Sequence, residues 1–72
     1  MKELNCLGDV CPLPLMRLQK EDAAIQAGES VLIITDHSCT CEGLRKYCAQ
    51  HGYHAQVEEP VNGVWEVTIS KS

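Results

Sequence analysis

One six-residue segment near the middle of the chain restricts the fold more than any other. Residues 30–35 read Ser-Val-Leu-Ile-Ile-Thr, an uninterrupted run of β-branched and aliphatic side chains. Such a run is typical of a strand inside a sheet, and it is too short for a buried helix. The sequence therefore predicts a central strand, and the rest of the chain has to supply its neighbours.

The segments before and after this strand predict two helices. Residues 2–7 are short and mixed enough to form a first strand, closed by Gly8. A helix is expected from Pro12 to about residue 26, since proline is well tolerated in a first helical turn. The second helix is expected to follow a polar connection at residues 36–40, with Ser38 or Thr40 as its cap, and to end near residue 52.

Two segments of alternating hydrophobicity complete the pattern. Residues 53–58 and 65–70 alternate apolar and polar side chains, and the Asn62-Gly63 pair between them is a strong hairpin signal. The order is βαβαββ in a single domain over residues 1–72. We therefore predict an α/β two-layer sandwich, with two helices packed on one face of a mixed four-stranded sheet and a right-handed first crossover. Trp65 is expected to be the principal aromatic residue of the core, whereas Asp22 falls at an expected core position of the first helix.

Charge and hydropathy restrict the classes of function. The chain has ten acidic and six basic side chains, a net charge of −4, and the bases are scattered. Scattered bases do not form a surface for a phosphate backbone, so direct nucleic-acid binding is not predicted. The sequence shows no membrane-spanning run and no secretory signal, and we expect a cytoplasmic protein that is not embedded in a membrane.

Five cysteines in 72 residues are an unusually high number. A disulfide scaffold is not expected without a secretory signal, and an odd count leaves at least one thiol outside any intrachain pair. Around the second helix, thiols and imidazoles raise a zinc hypothesis. The candidate ligands are His37, Cys39, Cys41, Cys48, His51 and His54. Cys39 and Cys41 are alternatively auxiliary redox thiols, or small side chains that pack; we predict no metal and no cofactor.

The sharpest motif is Cys11-Pro12-Leu13-Pro14, at the junction of the first strand and the first helix. If Pro12 is the first helical residue, Cys11 is the N-cap. A helix N-terminus stabilises a thiolate, which is the nucleophilic form of cysteine. The two prolines remove backbone donors from the first turn and stiffen it. The motif therefore predicts an exposed sulfur nucleophile at Cys11; the alternative is a buried, inert cysteine before an ordinary helix.

Residues 8–14, Gly-Asp-Val-Cys-Pro-Leu-Pro, together with the helix ending at residues 27–29 and the strand ending at Asp36, resemble the TusA/SirA family of small sulfur carriers, and in particular its YeeD-like branch. The resemblance covers essentially the whole chain. It implies a persulfide carried on Cys11, with Gly8, Pro12 and Pro14 supporting the motif, and partner proteins that donate and accept sulfur. The chain departs from the family pattern at Asn5, at Leu13 and in its additional cysteines.

We therefore expect a sulfur carrier that accepts sulfane sulfur on Cys11 and passes it to a partner, in thiosulfate assimilation or in sulfur relay to tRNA or cofactors. Leu13 and Met16 are predicted to form an apolar docking surface beside the thiol. Family resemblance suggests a YeeE-type membrane thiosulfate transporter as one partner. The alternatives are a redox switch that pairs Cys11 with Cys6 or another thiol, and a small zinc-binding interaction module.

Overall fold

The computed structural model describes residues 2–8 and 13–71 of the 72-residue chain. Its elements, in chain order, are β1 (Lys2–Asn5), α1 (Leu13–Lys20), α2 (Asp22–Gln26), β2 (Val31–Thr35), α3 (Ser38–His51), β3 (Tyr53–Val61) and β4 (Val64–Lys71). The four strands form one sheet in the order β1-β2-β4-β3. The predicted two-layer α/β fold is confirmed, with the first helical region divided into two helices.

The sheet is mixed because its two halves pair differently. β1 runs parallel to β2, whereas β2 and β4, and β4 and β3, are antiparallel. The predicted central strand, β2, therefore has a neighbour on each side. In the described residues the helices form one layer, since α1 contacts α2 and α3 while α2 and α3 both contact β4.

The core lies between this helical layer and one face of the sheet. Alternate residues of β2 and β4 point into it, and each helix contributes an aliphatic side chain that is fully buried. The buried set includes Leu18, Ile25, Val31, Ile33, Leu44, Val67 and Ile69. Burying one aliphatic side chain of this size stabilises the fold by roughly 1.5–3 kcal/mol. A chain without phenylalanine thus builds an aliphatic core, as its composition requires.

The predicted single helix over residues 12–26 is wrong, because the chain breaks helical geometry at Glu21. Glu21 has φ −98° and ψ 7°, and its N–H bonds the Leu18 carbonyl three residues back at 2.9 Å. This tightened turn ends α1, and α2 begins at Asp22. Leu18 on α1 and Ile25 on α2 are both fully buried, on the common face that their seven-residue spacing predicts.

Asp22, which falls at an expected core position of the first helical region, is held by side-chain hydrogen bonds. Its Oδ1 accepts hydrogen bonds from the hydroxyls of Tyr47 at 2.9 Å and Tyr53 at 2.7 Å, and its Oδ2 accepts one from Gln26 Nε2 at 2.8 Å. The ring of His51 lies over Tyr47, with the ring centroids 4.2 Å apart. Asp22 therefore joins α2 to α3 and β3 through its carboxylate.

The expectation that Trp65 is the principal aromatic residue of the core is wrong, and so is the expectation that Ser38 or Thr40 caps the second predicted helix. Trp65 is only partly buried, because it lies at the start of β4 opposite Thr35 at the end of β2; the buried aromatic residue is Tyr47. The N-cap of α3 is His37, and Ser38 is already helical. Thr40 is buried within the first turn instead of capping it.

The hairpin prediction at Asn62-Gly63 is confirmed. Val61 pairs with Val64 across the two-residue turn, and Gly63 has φ 87°, in the left-handed region that favours glycine. β3 extends three residues beyond its predicted end at residue 58, through Pro60, with a register shift between Glu58 and Val61. In the part of the chain that the structure describes, no helix is long and apolar enough to cross a membrane.

Candidate functional site

The candidate site lies at the edge of the sheet where the parallel strands β1 and β2 end. β1 leads into the segment that carries Cys11, and β2 leads into Asp36 and His37 before α3. Because α1 and α3 both start after these strands, their N-terminal ends are directed to the same edge. Ligands and reactive groups of α/β sheets commonly lie at this edge.

Backbone and side-chain bonds hold the exit of β1 in place. The Cys6 N–H donates to the Ile34 carbonyl at 2.8 Å, which continues the parallel pairing, and the Leu7 N–H donates to Asn5 Oδ1 at 3.0 Å. The Gly8 N–H then donates to Asp36 Oδ1 at 3.2 Å. The residues immediately before the motif are thus tied to both parallel strands.

Asp36 accepts the hydrogen bond from Gly8 as an ionised carboxylate. The Gly8 N–H is the main cause that lowers the pKa of the Asp36 carboxyl, while partial desolvation opposes it. His37 Nδ1 lies 2.8 Å from the same carboxylate oxygen. Sequence analysis identified Asp36 only as the end of the strand in the family pattern; its contact with Gly8, 28 residues away, depends on the parallel pairing.

The predicted nucleophile Cys11 and its neighbour Pro12 lie outside the described residues. Their assignment as N-cap and first helical residue stays a prediction. The described side of the motif begins at Leu13, the first residue of α1, and Pro14 is buried against the fold. Gly8 and Leu13 therefore delimit the candidate site on its two sides.

Exposed apolar side chains lie at or near both boundaries in the sequence. Leu13 is 44% exposed, Met16 is 52% exposed and Leu7 is 47% exposed. We call Leu7, Leu13 and Met16 the apolar collar. Sequence analysis missed Leu7 because it assigned this residue to the first strand, which ends at Asn5.

Arg17 connects α1 to the exit of β1. Its Nη1 donates a hydrogen bond to the Asn5 carbonyl at 2.8 Å and lies 3.7 Å from Cys6 Sγ. The guanidinium thus lies beside the strand end that leads into the motif. No sequence pattern indicated this contact, since the two residues are 12 positions apart and meet only when α1 packs beside β1.

The remaining cysteines occupy two environments. Cys6, Cys41 and Cys48 are buried, and burial raises the pKa values of the Cys41 and Cys48 thiols. Cys39 is exposed in the first turn of α3. Burial of Cys6 agrees with a packed strand-end cysteine and places its sulfur away from solvent.

The zinc hypothesis receives no support from the described residues. Within residues 2–8 and 13–71, no three His, Cys, Asp or Glu side chains are grouped so that they could hold a metal ion. Cys41 and Cys48 point into the core, whereas His51 and His54 are exposed. The same described residues form no pocket either.

Comparisons with known proteins bear on the function of the candidate site. Over residues 2–71 the chain matches the family described as Sulfurtransferase TusA. It is 25% identical over 71 residues to "Putative sulfur carrier protein MJ0990" of Methanocaldococcus jannaschii, covering 99% of this chain and 95% of that protein. It is 23% identical over 73 residues to "Putative sulfur carrier protein TsuB" of Escherichia coli K12, covering 100% and 97%, respectively.

A solved structure agrees with the sequence matches. The crystal structure of a SirA-like protein from Desulfitobacterium hafniense superposes with a TM-score of 0.88 at 37% identity, covering 96% of this chain and 95% of that one. The family match and the structural match both extend over almost the whole chain, which confirms the resemblance inferred from the Cys-Pro-Leu-Pro motif. The chain belongs to the TusA sulfurtransferase family.

Proposed function

We propose that this protein is a sulfur carrier that accepts sulfane sulfur on Cys11 and passes it to a partner protein. The observation that carries the proposal is the construction of the candidate site. Gly8 is tied to Asp36 on one side of the motif, and exposed apolar side chains lie on both sides of it. Family membership and the names of the relatives support the same role.

The chemistry of a carrier needs little more than one accessible thiolate. The thiolate of Cys11 attacks the terminal sulfur of a donor persulfide; a new S–S bond forms at Cys11, the donor S–S bond breaks, and the donor leaves as a thiolate. Thiosulfate donates its outer sulfur atom in the same way, and the remainder of the molecule leaves as sulfite. Because no proton has to be added or removed at the reacting sulfur atoms, the site needs no acid–base pair of its own, in contrast to an activated hydrolase nucleophile.

We further propose that protein partners dock on the apolar collar. Leu7, Leu13 and Met16 are exposed apolar side chains that flank the motif in the sequence, and methionine adapts well to different binding surfaces. An apolar surface favours a protein partner over charged RNA. The resemblance to the YeeD-like branch extends this proposal to the cytoplasmic mouth of a YeeE-type membrane thiosulfate transporter, into which Cys11 would be inserted, thiol first.

Intact-mass spectrometry tests the carrier proposal. After incubation with thiosulfate, or with a cysteine desulfurase and cysteine, we expect the protein to gain the mass of one sulfur atom, reversibly by reductant and mapped to Cys11. The Cys11→Ser variant should remain folded, since serine is a good N-cap residue, and should not gain sulfur. Unchanged loading of the variant would contradict the proposal.

The same spectra separate the alternatives. A redox switch would lose the mass of two hydrogen atoms on oxidation, with Cys11 joined to a second cysteine. A metal adduct under native conditions would support the zinc module instead. Cys6, the nearest candidate partner in sequence, is buried, which disfavours the switch.

A further inference from the structure

One face of the sheet carries no helix in the part of the chain that the structure describes. The helices pack on the face that holds Val31, Ile33 and Val67. Because successive side chains of a strand point to opposite sides, the alternate residues of each strand lie on the other face. We call that other face, which is centred on Leu32 and Ile34 of β2, the open face.

The open face has an apolar stripe with acidic side chains on both sides. Leu32 and Ile34 form the stripe along an inner strand, and both are half-buried. On one side, Glu3 of β1 pairs directly with Leu32. On the other side, Glu66 of β4 pairs directly with Ile34, and Glu58 of β3 pairs with Glu66.

The pairing of Glu58 with Glu66 is unfavourable for the fold on its own. Like charges that lie directly opposite on neighbouring strands destabilise a sheet. Gln56 Nε2 donates to Glu58 Oε1 at 3.3 Å, but within residues 2–8 and 13–71 neither glutamate forms an ion pair. A cationic partner on the open face would remove this repulsion.

The basic side chains belong to the opposite side of the molecule. Lys2 and Lys71 are on strands, but they reach the helical layer, where they bond Glu21 at 2.9 Å and the Gln26 carbonyl at 3.3 Å, respectively. The other four are on α1 and α3: Arg17, Lys20, Arg45 and Lys46. Across the described strands, the open face therefore has acidic side chains and no lysine or arginine.

This charge distribution restricts what can cover the open face. A second copy of the chain would set one acidic face against another, and nucleic acids and anionic lipid surfaces carry the same sign. The strands next to β2 lie about 4.8 Å away on each side, and a helix with its side chains is about 10–12 Å wide. One helix along β2 would therefore cover the apolar stripe and reach the glutamates on both sides of it.

We propose that the open face binds a basic amphipathic helix of a partner protein. The apolar side of this helix packs on Leu32 and Ile34, and its lysine or arginine side chains pair with Glu3 on one side and with Glu58 and Glu66 on the other. The bound helix covers the second face of the sheet. The inference does not depend on sulfur transfer at Cys11, since all of its residues lie on the strands.

The probe is a synthetic amphipathic helix of about 18 residues, with leucine along one side and lysine on both flanks. Titrated into the isotope-labelled protein at about 0.15 M salt, it should shift the amide resonances of residues 32–34 and 66–68 more than those of α1 and α3. The same peptide with glutamate in place of lysine should not bind. Shifts confined to the helices, or equal binding of the glutamate peptide, would overturn the proposal.

Matched double variants test the contribution of the glutamates. In Glu58→Gln/Glu66→Gln, we expect the affinity for the lysine peptide to fall about fivefold. Glu29→Gln/Glu42→Gln removes the same charge from exposed positions in the turn after α2 and on α3, and it should change the affinity less than about twofold, because salt screens distant charges. Equal losses in the two variants would reduce the binding to net charge and would overturn the proposal.

Two further measurements bear on the same face. Glu58→Gln/Glu66→Gln should melt about 2–4 °C higher than the unmodified sequence, because two like charges no longer oppose each other. A lower melting temperature would show that these glutamates support the fold, against the proposal. Sedimentation of the protein without peptide tests the other occupant: a dimer whose dissociation on dilution shifts the resonances of residues 32–34 would assign the open face to a second copy.

Discussion

Gly8 has a backbone φ of 83°, a conformation that side chains of L-residues rarely adopt. An added Cβ would meet no atom within 4 Å, so the constraint on this position is conformational and not steric crowding. The conformation directs the Gly8 N–H to Asp36 and turns the chain from β1 into the motif. One glycine thus links the end of the sheet to the reactive segment.

Gly8→Ala is therefore expected to lower the free energy of unfolding by about 1–2 kcal/mol, the cost of a left-handed conformation for a residue with a Cβ. Urea denaturation measures the change. Gly43→Ala is a matched control, because Gly43 lies inside α3 with open space around it. There alanine should stabilise the protein by about 0.5–1 kcal/mol. Destabilisation by both substitutions would contradict the account of Gly8.

Cys39 is the exposed cysteine among the described residues, and it lies at the same edge of the sheet as the motif. We expect Cys39→Ser to leave the first loading of Cys11 unchanged and to alter the lifetime of the persulfide, since an accessible thiol can receive or resolve it. Cys41→Ser should have neither effect, because Cys41 is buried. Mass spectra recorded over time measure the lifetime, and an equal lifetime in Cys39→Ser would remove this residue from the mechanism.

Among the elements, α2 depends on a polar clamp formed by Asp22 with Tyr47 and Tyr53. The hydroxyl of Tyr53, followed by that of Tyr47, lowers the pKa of the Asp22 carboxyl below its ordinary value of 3.8. The same arrangement, with desolvation as the largest cause, raises the pKa of Tyr47 to about 12. The clamp is therefore complete when the carboxylate is ionised and the tyrosines are protonated.

These directions predict how stability depends on pH. A carboxyl whose pKa is lowered by folding stabilises the fold above its unfolded value, and this stabilisation is lost as the pH falls through the lowered pKa. We expect Asp22→Asn to lower the melting temperature at neutral pH and to flatten its decline between about pH 5 and pH 2. A parallel decline in Asp22→Asn and the unmodified sequence would contradict the clamp.

Titration at high pH tests the same clamp through the ionisation of its tyrosines. Stabilisation by Tyr47 is present below the unfolded tyrosine value of 10 and is lost as the pH rises through about 12. Ultraviolet absorbance of tyrosinate should therefore show delayed ionisation in the unmodified sequence. In Asp22→Asn the delay should shorten, because the acceptor no longer carries a charge. An unchanged titration would assign the delay to burial alone.

The break between α1 and α2 was beyond prediction because residues 20–22, Lys-Glu-Asp, contain no glycine or proline. The one irregularity in the sequence is the spacing of the apolar residues, because Asp22 occupies a position where one continuous helix would bury a core side chain. The hydrogen bonds of Asp22 with the two tyrosines join residues 25 and 31 positions apart, so no local pattern could show them.

At the scale of the whole molecule, the apolar collar gives the proposed docking surface a direct test. We expect Leu13→Glu to leave stability nearly unchanged, since Leu13 is 44% exposed, and to weaken partner binding about tenfold, or ~1.4 kcal/mol. Val61→Glu is the matched control, because Val61 is 62% exposed beside the hairpin turn. Isothermal titration with a partner measures both. Equal affinity in Leu13→Glu, or its unfolding, would contradict the collar.

The central strand and the hairpin were predictable because residues 30–35 and Asn62-Gly63 encode them locally. The site was predictable only in part. The Cys-Pro-Leu-Pro motif indicated the reactive segment, whereas the contacts of Asp36 with Gly8 and of Arg17 with Asn5 join residues distant in sequence. Such contacts exist only after β1 and β2 pair and α1 packs beside them.

The outer strand β3 has a consequence for association between copies. Its Pro60 lacks an N–H donor, and the register shift between Glu58 and Val61 interrupts the regular row of backbone groups along this edge. A second chain that tried to add a strand here would meet a missing donor and an irregular ladder, and such interruptions discourage edge-to-edge aggregation. The edge of β3 is therefore a poor site for the addition of a strand from a second copy of the chain.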